Sequence, residues 1–276
     1  MPAVVISSLA QPSCRAAIQA LELGAVEVLA KPAGPFSVGE LRHTLAAKIR
    51  SAALARLRPR SRAQPPPPAV CSHGSRGIIA IGASTGGTEA IATVLRALPK
   101  AAPAILAVQH MPPVFSRAFA NRLNEVCEID VKEAEDGDRL RPGLALVAPG
   151  DMHMILRKTG GGYIVNVKTG PPVCYQRPSV DVLFCSVAEV AGSQAVGVLL
   201  TGMGSDGARG LLKMHEAGAR TFAQNEASCV VFGMPREAIQ LGAVDQVLPL
   251  DKIAQAIVSA RVNAAPPGVP GDVVSI

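Results

Sequence analysis

The chain has 276 residues, of which 49% are hydrophobic and 17% charged, a composition that allows a large buried core and excludes an intrinsically disordered protein. Its formal net charge is +6, and residues 41–88 hold basic residues but no Asp or Glu. Because no aromatic residues alternate with these basic side chains, a solvated helix end and linker is favoured over a nucleic-acid-binding surface.

The six cysteines form no C-x-x-C pair, which favours reduced thiols over a disulfide framework or a zinc site. With no secretory signal and no apolar run approaching about 18 residues, a soluble cytoplasmic protein is expected.

Residues 1–57 predict a short β-α-β-α segment. Apolar strands are predicted at 3–7 and 25–32, and helices at 11–24 and 37–57. Two strands are too few to close a core, so the segment is interpreted as part of a domain. Residues 58–76 are rich in Pro and Arg and are predicted to be a linker.

Residues 77–262 predict a larger α/β domain, and residues 263–276 a disordered tail. Strands are predicted at 77–83, 104–109, 143–149, 163–168, 195–201 and 220–224. Helices are predicted at 88–99, 115–126, 179–192, 207–218 and 234–242. This alternation is typical of a doubly wound, mostly parallel sheet, with a β-hairpin at residues 160–162.

Three polar residues follow predicted strands of this domain. Ser84 follows "IIAIGA", His110 follows "AILAVQ", and Asp206 lies in the Gly-rich turn after "VGVLLTGMGS". Because the carboxyl ends of parallel strands meet at one edge of a sheet, these side chains are expected to lie close together. A hydroxyl, an imidazole and a carboxylate are the groups that nucleophilic acyl transfer requires.

Each of these residues also has a simpler structural interpretation, as a helix cap for Ser84, a structural or exposed ring for His110 and a turn residue for Asp206. A dinucleotide-binding turn is a second alternative, but Ser84 stands where that turn needs Gly, and no acidic residue ends the next strand. The chain order Ser, His, Asp also differs from that of α/β-hydrolases.

His153, in "PGDMHM", is a candidate substrate contact. No group of His, Asp or Glu residues has the spacing of metal ligands.

Several motifs of residues 77–257 closely resemble the CheB family, the protein-glutamate methylesterases of bacterial chemotaxis. They are "GASTGGTEAI", "VQHMPPVFSRAFANRLN", "APGDMHM", "RPSVDVLF", "LLTGMGSDGARGLLKMHEAGA" and "AQNEASCVVFGMPREAI". The resemblance implies a serine hydrolase that removes γ-methyl esters from chemoreceptor glutamates and also deamidates receptor glutamines. It implies Ser84, His110 and Asp206 as the catalytic triad, and Thr85 and the backbone of Met203 as oxyanion contacts. It implies no cofactor and no metal.

The first 57 residues resemble the second half of a response-regulator receiver domain, which precedes the methylesterase in this family. Ser7 matches the hydroxyl residue that senses phosphorylation, and Lys31 matches the lysine that contacts the phosphoryl group. No Asp occurs before Asp130, so the phosphoacceptor is absent and phosphorylation control in the family's manner is not expected. Half a receiver is further expected not to dock over the catalytic cleft, as an unphosphorylated receiver does in this family.

The resemblance implies the cytoplasmic helices of methylated chemoreceptors as substrate, with the chemotaxis histidine kinase as a further candidate partner. Neither nucleic acid nor membrane insertion is expected. Residues 175–181 are a candidate rim for the receptor, with Arg177 as a contact for receptor carboxylates. The alternatives are a catalytically silent adaptor that binds a receptor or kinase, and a nucleotide-binding oxidoreductase.

Overall fold

The computed structural model of the chain describes residues 1–8, 11–31, 38–56 and 77–260, without the side chains of residues 11, 12, 38–44 and 47. The predicted linker 58–76 and the predicted tail 263–276 lie outside the described residues. The described strands are β1 (Val4–Ser7), β2 (Glu27–Ala30), β3 (Ile78–Ala83), β4 (Ala104–Gln109), β5 (Asp130–Glu133), β6 (Leu144–Val147), β7 (His153–Thr159), β8 (Gly162–Lys168), β9 (Ala195–Leu199), β10 (Arg220–Gln224) and β11 (Gln246–Leu248). The described α-helices are α1 (Gln11–Glu22), α2 (Val38–Ala53), α3 (Gly87–Arg96), α4 (Phe115–Val126), α5 (Val180–Ala191), α6 (Ala208–Glu216), α7 (Met234–Gln240) and α8 (Leu250–Ser259).

The central sheet has seven parallel strands in the order β11-β10-β9-β3-β4-β6-β5. Successive side chains of β3 alternate between two hydrophobic clusters. Ile79 and Ile81 pack on one face with α3, α4 and α8, whereas Ile78 and Ala80 pack on the other with α5, α6 and α7. Helices on both faces bury every side chain of β3 and β4, which explains why these strands are continuous apolar runs. The predicted doubly wound α/β fold is confirmed.

The predicted hairpin is also confirmed. Strands β7 and β8 pair antiparallel, with Thr159 opposite Gly162 at the turn. Its apolar side chains Met154, Leu156 and Val165 are fully buried in the cluster that contains α5. The hairpin therefore adds a covering layer to one face of the central sheet.

Four elements were absent from the sequence prediction: β5, β7, β11 and α8, of which β7 is the first strand of the confirmed hairpin. Strands β5 and β11 form the two edges of the sheet and have four and three residues. Exposed polar residues interrupt their apolar pattern because an edge strand packs on only part of its surface. Helix α8 buries Ile253 and Ile257 beside α3.

The amino-terminal segment 1–56 contains a small parallel sheet, in which β1 pairs with β2 and Ser7 lies opposite Ala30. Ser7 and Lys31 thus share the carboxyl edge of this sheet, where the Lys31 N–H donates to the Ser7 carbonyl at 2.8 Å. Helix α1 packs against α3 and α4, and its Ala17 and Ile18 join the same hydrophobic cluster as Ile91 of α3. No described helix has the length and hydrophobicity needed to cross a bilayer.

Candidate active site

Ser84, His110 and Asp206 lie at the carboxyl ends of three adjacent strands. Ser84 directly follows β3, His110 directly follows β4, and Asp206 lies in the loop between β9 and α6. Strand β3 pairs with β4 on one side and with β9 on the other. All three residues are buried, with exposed fractions of 6%, 5% and 2%. The sheet therefore brings the three predicted catalytic residues to one place.

His110 and Asp206 form a buried pair. The Nε2 atom of His110 lies 2.7 Å from Oδ2 of Asp206. An ionised carboxylate can only accept a hydrogen bond, so the neutral ring carries its proton on Nε2. Its Nδ1 atom is buried and has no hydrogen-bond partner among the described residues. Nδ1 is therefore the ring atom that can accept a proton.

The Asp206 carboxylate is held by the amino-terminal end of α5. The backbone N–H of Val180 donates to Oδ2 at 2.7 Å, and that of Asp181 donates to Oδ1 at 3.1 Å. The Ser179 hydroxyl also donates to Oδ1, at 2.7 Å. Burial favours the protonated acid, but the hydrogen bonds from His110, Asp181 and Ser179 outweigh it and lower the pKa of Asp206 below its ordinary value. Asp206 is thus ionised at neutral pH.

The turn that carries Ser84 is fixed by backbone hydrogen bonds. The Ser84 N–H donates to the Thr201 carbonyl at 3.0 Å, and the Gly87 N–H donates to the Ser84 carbonyl at 2.7 Å. Gly86 adopts a φ of 76°, in the left-handed region that favours glycine. Gly202 must also lack a side chain, because a Cβ there would lie 2.8 Å from the Cβ of Ser84. These glycines allow the turn and the close approach of the β9 loop.

Gln109 is a candidate functional residue that the sequence prediction missed. Its side chain is buried, and Nε2 donates to the Ser84 carbonyl at 2.8 Å and to the His110 carbonyl at 3.4 Å. The amide therefore connects the peptide of the candidate nucleophile to that of the candidate base. A polar residue at the last position of a fully apolar strand, directly before His110, was the sequence signal that indicated such a role.

The two candidate oxyanion contacts differ in their surroundings. Thr85 is buried, and its Oγ1 atom lies 2.5 Å from Oε1 of Glu27 and 2.5 Å from Oγ of Ser51. Met203 lies in the loop between β9 and α6 and is 38% exposed. Because β3 and β9 are neighbours, the peptides of Thr85 and Met203 lie at the same edge of the sheet as Ser84.

The amino-terminal segment closes over this edge of the sheet. A small cavity is lined by Ser84 and His110 on one side and by Val26, Glu27 and Val28 on the other. Glu27 is 5% exposed, accepts from Thr85 and pairs with Lys48 at 2.7 Å. The expectation that half a receiver does not dock is therefore wrong: α1 and β2, which make the contact, are both present in the segment.

Two residues considered from the sequence make internal contacts. His153 is buried, and both of its ring nitrogens lie within hydrogen-bond distance of backbone atoms, so the structure does not bear out a substrate contact. Arg177 donates to Asp151 at 2.7 Å and to the Gly170 carbonyl at 2.5 Å. Tyr175, in contrast, is 98% exposed at the same rim.

Cys174, Asp181 and Asp206 place their candidate ligand atoms within 4.8 Å of one another, an arrangement that could hold a divalent cation. However, Asp206 already accepts four hydrogen bonds, and Asp181 accepts from the Gly210 N–H and the Cys174 thiol. With the carboxylate oxygens satisfied by protein donors, no metal is assigned to this group.

Comparison with known proteins gives a consistent family assignment. The CheB methylesterase family matches residues 79–257. A protein-glutamate methylesterase/protein-glutamine glutaminase of Yersinia pestis bv. Antiqua (strain Antiqua) is 56% identical over 261 residues, which cover 92% of this chain and 74% of that relative. A relative with the same name but numbered 2, from Syntrophus aciditrophicus (strain SB), is 51% identical and covers 94% of this chain and 77% of the relative.

The fold is also similar to that of a solved structure. The crystal structure of the Thermotoga maritima CheB methylesterase catalytic domain matches with a TM-score of 0.65 and 40% sequence identity. The match covers 67% of this chain and 98% of that domain. The chain belongs to the CheB methylesterase family.

Proposed function

We propose that this chain is a serine hydrolase that removes methyl esters from glutamate side chains of chemoreceptors and deamidates receptor glutamines. The observation that carries the proposal is the buried His110–Asp206 pair, because His110 and Ser84 line the same small cavity. The names of the relatives, protein-glutamate methylesterase/protein-glutamine glutaminase, supply the substrate class.

In the proposed reaction, Ser84 Oγ attacks the ester carbonyl while Nδ1 of His110 takes the hydroxyl proton. Asp206 stabilises the imidazolium that forms, through the bond to Nε2. The negative charge on the carbonyl oxygen develops beside the amino-terminal end of α3, and Thr85 and Met203 are the proposed contacts for it.

The tetrahedral intermediate then collapses as the C–O bond to the methoxy group breaks. The methoxy oxygen takes the proton from His110 and leaves as methanol, which produces an acyl-enzyme on Ser84. A water molecule gives a proton to His110 and attacks the acyl group, and Ser84 recovers its proton as the glutamate carboxyl is released. With a glutamine substrate the leaving group is ammonia.

Methanol release by Ser84→Ala tests this proposal. Loss of the nucleophile is expected to reduce the rate by several orders of magnitude, to the level left by the remaining groups. Ser193→Ala is the matched control, because Ser193 precedes β9 and therefore lies at the amino-terminal ends of the strands, whereas Ser84 lies at their carboxyl ends. Normal methanol release by folded Ser84→Ala would reject the mechanism and favour the silent adaptor.

The proposed substrate also determines which partner and which cellular location we propose for this protein. Cytoplasmic helices of methylated chemoreceptors are the partner, and the chemotaxis histidine kinase is a further candidate. A cytoplasmic location agrees with the five described cysteines, all of which are free thiols. The division into a partial receiver (1–57), a linker (58–76), a catalytic domain (77–262) and a tail (263–276) stays part of this proposal.

A further inference from the structure

The end of α5 that holds Asp206 is itself held by a buried histidine. The backbone N–H of Ser179, the residue that caps α5, lies 3.2 Å from Nδ1 of His153. On the other side of the ring, Nε2 lies 3.1 Å from the carbonyl oxygen of Pro171. His153 is 5% exposed, at the first position of β7.

These two contacts fix the protonation pattern of the ring. A carbonyl oxygen only accepts, so Nε2 donates its proton to Pro171. Nδ1 then carries a lone pair, which accepts the N–H of Ser179. The neutral ring uses both nitrogens in this way and ties β7 and Pro171 to the start of α5.

The position of Ser179 determines the position of several donors to Asp206. Its hydroxyl donates to Oδ1, and the next two backbone N–H groups, of Val180 and Asp181, donate to the same carboxylate. A displacement of Ser179 therefore moves three donors at once. Since Asp206 Oδ2 also accepts from His110, the displacement reaches the catalytic ring.

We propose that His153 is a positioning residue, which acts through Ser179 to keep Asp206 aligned with His110. This inference rests on the proposed function, because it assigns His153 to the alignment of the proposed triad. His153 does not touch the substrate. Its loss lowers kcat and leaves KM unchanged, because a small misplacement of a catalytic group costs rate without altering substrate binding.

The test compares three variants of the full chain. In His153→Asn the side-chain oxygen branches from Cγ, as Nδ1 does, and can still accept from Ser179. In His153→Gln the amide extends towards Pro171 and leaves the Ser179 N–H unpartnered, and in His153→Leu neither contact is possible. We expect kcat for methanol release to fall about 10–100-fold in the Gln and Leu variants, with KM unchanged. The Asn variant is expected to keep most of the wild-type kcat.

Thermal unfolding identifies any variant that does not fold, and the Asn and Gln pair decides the test if Leu is lost. His215→Leu is the control for a change of histidine elsewhere. His215 lies near the carboxyl end of α6, where it contacts Thr221 and Asp245, whereas Asp206 precedes the amino-terminal end of that helix. Equal kcat in the Asn and Gln variants, or a change in KM alone, would overturn the inference. The same assay includes Ser84→Ala. If Ser84→Ala is inactive, an outcome that overturns the inference concerns the role of His153 alone. If Ser84→Ala is active, the proposed function itself fails.

Discussion

At the scale of single residues, the chemistry depends on which hydrogen bonds Asp206 accepts. Four protein donors surround its carboxylate; burial raises its pKa, but the hydrogen bonds from His110, Asp181 and Ser179 outweigh burial and lower it below the ordinary value. The charge on Asp206 then holds the proton of His110 on Nε2 and leaves Nδ1 as the acceptor. A buried carboxylate with this number of donors is expected to have a structural effect besides its proposed catalytic one.

Asp206→Asn tests both effects. An amide cannot stabilise the imidazolium, so the rate of methanol release is expected to fall by about three to four orders of magnitude. Because folding lowers the pKa of Asp206, its ionised form stabilises the folded state above the unfolded-state pKa of about 3.9, and this contribution is lost as pH falls through the lower folded-state pKa. The difference in the free energy of unfolding between wild type and variant, measured with urea, should therefore shrink as pH falls below about 4. If the difference in the free energy of unfolding between the two proteins did not change with pH, Asp206 would not have the lowered pKa that is assigned to it.

At the scale of elements, β2 and α2 close the cleft through one buried carboxylate. Glu27 of β2 accepts from Thr85 and pairs with Lys48 of α2, while Ser51 of α2 contacts Thr85. Only 6% of the Glu27 side chain and 18% of the Lys48 side chain are exposed. Removal of one partner from a buried pair leaves an uncompensated charge, which costs about 3–5 kcal/mol. The contact between the segment and the catalytic cleft is therefore sensitive to a single change.

Glu27→Ala is expected to weaken this contact and expose Ser84. A weakening of even 1.4 kcal/mol increases the open fraction about tenfold, so kcat/KM for methanol release should increase by about that factor. Arg56→Ala is the matched control, since Arg56 connects the same segment to Glu226 through a pair that is 68% and 54% exposed. An exposed pair contributes at most about 1 kcal/mol, so this variant should behave as wild type. An unchanged or lower rate in folded Glu27→Ala would show that the segment does not limit access.

At the scale of the whole molecule, the catalytic part and the amino-terminal segment are expected to be separable. Residues 77–260 contain the complete seven-stranded sheet, and a related catalytic domain that covers 67% of this chain has been crystallised. Yet α1 shares a hydrophobic cluster with α3 and α4, so the segment packs as part of the folded molecule. Opening of the catalytic cleft therefore requires the apolar surface of α1 to separate from those of α3 and α4.

A chain of residues 77–276 is expected to release methanol faster than the chain of 276 residues, because its cleft is open. Acetyl phosphate is expected to leave the rate of the 276-residue chain unchanged, since no Asp occurs before Asp130 to accept the phosphoryl group. The comparison is made with both chains at equal concentration, with and without the phosphodonor. A strong increase with acetyl phosphate would disprove the absence of phosphorylation control.

Much of the fold could be predicted because its periodicity is local. Strands β3 and β4 are buried on both faces and appear as apolar runs, and helix α4 was predicted with the bounds that the structure shows. The edge strands β5 and β11 could not be predicted in this way, because partial burial leaves no regular apolar pattern. The hydrogen-bond partners of Gln109 and of His153 could not be predicted either, since hydrogen bonds between distant segments leave no local signal; only the position of Gln109, a polar residue at the end of an apolar strand, was visible in the sequence.

The sequence by itself determined the α/β class, the candidate residues Ser84, His110 and Asp206, and the family resemblance, because strand ends and motifs are local properties of the chain. The tertiary structure decided which of these groups are adjacent and which ring nitrogen of His110 is available. It also decided that the amino-terminal segment docks, through Glu27, over the edge of the sheet that carries Ser84. Such contacts join residues far apart in the chain, and only the packing of β2 and α2 against the central sheet brings them together.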